Sequence, residues 1–94
     1  LIAKEEVERA ILKEAYNAPS VVQKIERALA VLDEAVAAID VKLIHCGSDA
    51  NAAHEVQKER DLKVAKQDTY YAEWERLERI MAEAEEIKAA REAI

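Results

Sequence analysis

The sequence predicts an all-α protein: an antiparallel helical bundle of three helices with a long C-terminal helix. Three observations carry this reading. Val22, Ile25, Leu29, Leu32, Val36, Ile39 and Leu43 follow one another at alternating steps of three and four, the spacing of a helical heptad seam. Ala, Glu, Lys, Arg and Leu, all strong helix formers, fill much of the rest. Helix breakers are nearly absent, with one Gly and one Pro among 94 residues. That leaves little material for β-hairpins or a Gly-rich phosphate loop. The length suits a single helical-bundle domain over residues 1–94.

The first helix is expected over residues 3–16. Ala3, Val7, Ala10, Ile11 and Ala15 lie on one stripe, and Glu5 and Arg9 form a favourable i,i+4 pair. Asn17-Ala18-Pro19-Ser20 should end it, because Pro19 lacks an N–H and disfavours the helical conformation at Ala18. Pro19 would then sit in the first turn of the next helix, where a missing donor is harmless.

The second helix, residues 20–45, carries the heptad seam. Val21, Ala28, Val31, Ala35 and Ala38 widen it. An apolar face of that width suits the central helix of a bundle, in contact with more than one neighbour. Gly47, the only glycine, belongs in the left-handed position that follows a helix. Ser48 or Asp49 would cap the next helix, which makes the connection short and the two helices antiparallel.

No Pro or Gly occurs from residue 49 to 94. Residues 57–69 are strongly polar, with only Leu62, Val64 and Ala65 apolar, and read as a solvated helix face. Tyr70, Tyr71, Trp74, Leu77, Ile80, Met81, Ala84, Ile87 and Ile94 then restore an apolar face. A reversal at Gln67-Asp68-Thr69 would give four helices. A continuous helix is favoured, because Asp and Thr in mid-helix cost only tenths of a kcal/mol whereas a sharp reversal normally uses Gly or Pro. A continuous helix of about 70 Å would overhang a second helix of about 40 Å and call for a partner chain to cover it.

Fourteen basic and twenty acidic residues give a net charge of −6, and no segment is basic. Nucleic-acid binding, which needs a Lys/Arg face to displace phosphate counterions, is not expected. Neither is an anionic membrane surface, and no stretch is long and apolar enough to cross a bilayer. The single Cys46 excludes an intrachain disulfide, and a reducing, cytoplasmic location is the default for a natural chain. The chain starts Leu1-Ile2-Ala3 without an initiator Met, which reads as a fragment or an engineered chain. The strict seam and the Ala/Glu/Lys/Arg fill match the rules for idealised bundles. Cys46, Asn51-Ala52-Ala53-His54 and residues 57–69 do not.

Two candidate sites stand out. Tyr70, Tyr71 and Trp74 hold three of the four aromatic residues within five positions. Trp and Tyr dominate interface energetics, so this cluster is the candidate partner-binding site, with Tyr71 on the flank as the exposed contact. Packing of Tyr70 and Trp74 into the core is the alternative. His45, Cys46, Asp49 and His54 supply the only clustered soft ligands and nucleophile. Zinc would need three or four of them to converge, and a Cys–His nucleophile would need an oriented imidazole beside the thiolate. The spacing matches no strong metal signature, and adjacent His45 and Cys46 diverge on a helix. No catalytic residue, metal or cofactor is therefore expected. The function expected is a non-enzymatic protein–protein interaction or scaffold module, binding another protein through an exposed helix face or self-associating as an oligomer through a coiled-coil-like last helix. A small metal-binding or thiol-dependent site at the 45–54 hairpin is the alternative.

Overall fold

The computed structural model describes residues 3–93, so Ile94, counted above with the last apolar face, lies outside the described residues. The chain forms two helices, α1 (Lys4–Cys46) and α2 (Ala50–Glu92), 43 residues each. This corrects the expected bundle of three helices, and of four with a break near residue 68.

The missing reversal is the one at Pro19, which lies inside α1. An interior proline removes one backbone hydrogen bond and its ring crowds the preceding turn, at a cost of about 3 kcal/mol. The seam explains why the helix continues. Ile11, Ala15, Ala18, Val22 and Ile25 form one stripe across Pro19, with Ala18 only 1% exposed, while Pro19 itself points to solvent. Ending the helix at residue 18 would throw that stripe out of register, and each large aliphatic side chain is worth about 1.5–3 kcal/mol when buried. Local polar bonds dress the same turn. Ser20 Oγ donates to the Asn17 carbonyl at 3.1 Å and Asn17 Nδ2 to the Lys13 carbonyl at 3.4 Å.

The reversal at Gly47 forms as its chemistry demands. Gly47 has φ +55°, and its N–H donates to the Ile44 carbonyl. Asp49 Oδ1 accepts from the Ala52 N–H at 3.1 Å, an N-cap on α2. A Cβ at Gly47 would meet nothing within 4 Å. Gly47→Ala should therefore cost only the backbone strain of the left-handed conformation, about 1 kcal/mol, read as a lower urea midpoint with unchanged slope. α2 then runs uninterrupted through Gln67-Asp68-Thr69, where Thr69 Oγ1 donates to the Ala65 carbonyl.

The chain divides into two compact units. One comprises Leu1–Ile25 and Ala72–Ile94, the other Glu26–Tyr71. In the first, Ala18, Val22 and Ile25 of α1 are buried, as are Leu77 and Ala84 of α2. In the second, Leu29, Leu32 and Ile39 are buried, all from α1. There α2 offers half-buried Val56, Val64, Arg60, Lys63 and Gln67 instead. Long polar side chains can lay their methylene stems on an apolar seam and keep the head group in water.

Candidate functional site

The turn unit, Glu26–Tyr71, is tied together along two edges. On one, Arg60 Nε donates to Asp40 Oδ1 and Gln67 Nε2 to Asp33 Oδ1, both at 2.8 Å. These pairs repeat at a seven-residue step on both helices, so they also define which residues stand level across the pair. On the other edge Lys42 Nζ lies 3.6 Å from Glu59 Oε2. Residues 57–69, read from sequence as a solvated face, thus contribute the side chains that clip α2 to α1. The signal was present in the matching heptad steps Asp33–Asp40 and Arg60–Gln67, with opposite charge or hydrogen-bonding character.

The Lys42–Glu59 edge borders an open face. Heptad steps back from Lys42 reach Ala35 and Ala28, and a step forward from Glu59 reaches Lys66. Val31 and Ala38 lie beside the first row, Leu62 and Tyr70 beside the second. Val31 is 66% exposed, Leu62 70% and Tyr70 37%. Leu62, Ala65, Lys66, Thr69 and Tyr70, rimmed by Glu59 and Lys63, line an open groove of about 790 Å³. Of the positions that widen the α1 seam here, Ala28 and Ala35 are half-buried and Val31 and Ala38 exposed, and among the described residues no third helix covers them.

The aromatic candidates fall differently. Tyr70 lines this groove and Tyr71 is 47% exposed, while Trp74 is half-buried in the other unit. Around the turn, Lys42, His45, Cys46, Asp49, Ala52 and Val56 line a shallow depression. His54 is not among its walls, and Asp49 is engaged as the α2 cap. Among the described residues no group of three or more His, Cys, Asp or Glu side chains is placed to hold a metal ion. Cys46 is half-buried and unpaired by any disulfide.

No family model, curated protein or solved structure matches this chain. Among the described residues no helix is long and apolar enough to cross a membrane.

Charge is concentrated more tightly in the other unit. Arg76 bridges Glu14 of α1 and Glu73 of its own helix, donating from Nε and Nη2 to Glu73 at 3.0 and 2.8 Å. The hydrogen bond from Arg76, reinforced by its charge and opposed by partial desolvation, lowers the Glu73 pKa below its usual value near 4.5. The Arg76 guanidinium is held protonated still more firmly, chiefly by its hydrogen bonds to Glu73 and Glu14. A carboxyl with a depressed folded-state pKa stabilises the fold above its unfolded pKa and loses that contribution as pH falls through the folded value. The protein should thus lose stability between neutral pH and pH below about 4.5, and Arg76→Gln should shrink that loss, measured by urea unfolding at both pH values. Equal loss in both proteins would show that the bridge contributes nothing to acid sensitivity.

Proposed function

We propose that this chain is a non-enzymatic protein–protein interaction module whose docking surface is the open face of the turn unit. The observation that supports the reading is the exposure of Val31 and Leu62 beside a seam that is otherwise buried. Helix-pair surfaces of this kind bind other helices through apolar ridges spaced three and four residues apart. Tyr70, at the edge of the groove, would supply the aromatic anchor that such interfaces favour. Tyr71 and Trp74 are not among the residues lining this groove.

The test is photocrosslinking in a cell extract. A photoreactive residue at position 31 or 62 should form discrete covalent protein adducts, and one at exposed Gln23 should not. Adduct yields at 31 and 62 no higher than at 23 would remove the reading.

A further inference from the structure

We propose that the first half of α2 is a detachable polar cover, so that the turn unit opens as a separate step while the unit containing Leu77 stays folded. The proposal concerns the row between the helices and does not depend on the docking reading above.

A mismatch between two rows carries it. On α1 the inward row keeps its steps of three and four and stays apolar from Ile11 to Leu43. On α2 the corresponding row in the turn unit is Val56, Arg60, Lys63 and Gln67, all half-buried. At the same steps it continues through Tyr70 into Trp74, Leu77, Met81 and Ala84 of the other unit. The α2 row is therefore mostly polar in the turn unit and wholly apolar in the other. Among the described residues no side chain of α2 in the turn unit is buried, whereas Leu77 and Ala84 are.

Arg, Lys and Gln stems can lie on an aliphatic seam, but they remove less apolar area from water than Leu and give up more rotamer freedom. Polar ties do not make up the difference. The Asp40–Arg60, Asp33–Gln67 and Lys42–Glu59 pairs lie at the surface, where such pairs contribute little. The other unit has a bridge of its own, Glu14–Arg76. What separates the two units is the row beneath these ties.

Tethering at both ends does not forbid the opening. The open segment, Glu26–Tyr71, becomes a loop closed by the folded unit, and closure entropy rises only with the logarithm of loop length. Opening wets Leu29, Leu32 and Ile39, which the closed unit buries. The cover thus withholds an apolar row from solvent until it opens.

Amide hydrogen exchange in increasing urea, read by mass spectrometry on the intact chain, tests the proposal. Amides of residues 56–67 should exchange at least about tenfold faster than those of 74–84. Their dependence on urea should also be weaker, because a partial opening exposes less surface than global unfolding. Leu77→Ala should speed exchange at 74–84 by about thirtyfold or more. It should change exchange at 56–67 by less than about twofold, because residue 77 is folded both before and after the cover opens. Lys63→Leu should instead slow exchange at 56–67 about fivefold. That variant keeps an aliphatic chain at the position, so it decides the matter if Leu77→Ala fails to fold. Equal rates and equal urea dependence in the two stretches would overturn the proposal, as would faster exchange at 74–84. So would a Leu77→Ala variant that accelerates both stretches alike, or a Lys63→Leu variant that leaves 56–67 unchanged.

Discussion

Pro19→Ala is expected to stabilise the protein by about 1–3 kcal/mol, an unusual gain for one substitution at an exposed site. Pro19 lies in the interior of a 43-residue helix and faces solvent. Alanine there restores the N–H that can bond to the Ala15 carbonyl, relieves the ring's crowding of that turn and removes no buried contact. The gain is partly offset because proline restricts the unfolded chain, a term of about 1 kcal/mol or less. The sign separates the two architectures. If a helix ended at residue 18 and another began at Pro19, proline would be well placed and its replacement neutral or destabilising. Urea unfolding followed at 222 nm decides the matter: a higher midpoint supports the continuous helix, and an unchanged or lower one contradicts it.

Leu77→Ala should cost about 2–4 kcal/mol, the largest loss expected from a single truncation on α2. Leu77 is 3% exposed, and Ala84 is the only other buried residue on α2 among those described. Its side chain packs in the unit where Ala18, Val22 and Ile25 are buried, so truncation leaves a cavity that helices already in close contact fill only in part. Val41→Ala is the matched control. Val41 is half-exposed and lies off both the seam and the open face, so its truncation should change stability by less than about 0.5 kcal/mol. Equal effects at 77 and 41 would mean that α2 is not held by this seam.

Much of the local structure was legible. Gly47 as the only glycine, followed by Asp49, specified a left-handed residue and an N-cap, and both are found. The seam from Val22 to Leu43 was read from spacing alone, and five of its seven residues are buried, with Val36 and Leu43 half-buried. The widening at Val21, Ala28, Val31, Ala35 and Ala38 is also legible, but the described residues form only two helices, so the further neighbour it suggests is not among them. Within the candidate surface, Tyr70 stands out from composition, as one of only four aromatic residues. Leu62 and Lys66 carry no such signal, because an isolated apolar residue in a polar run gives no sign of which side of the helix stays uncovered. Arg60 and Gln67 read as solvated residues in sequence for the same reason. Their role depends on Asp40 and Asp33, which lie 20 and 34 positions away in the chain.

By itself, then, the sequence determined helical character, the position of the one tight reversal and the phase of the α1 seam. Each is governed by interactions within a few residues: propensity, a left-handed glycine, a capping carboxylate and the three-and-four spacing. The tertiary structure decided that Pro19 would not end a helix and that residues 57–69 would turn Arg60 and Gln67 towards α1. It also decided which flank of the pair would remain open. The reason is one of magnitude. A proline penalty of about 3 kcal/mol is outweighed when several aliphatic side chains keep a common face against a neighbouring helix, and that neighbour comes from the far end of the chain.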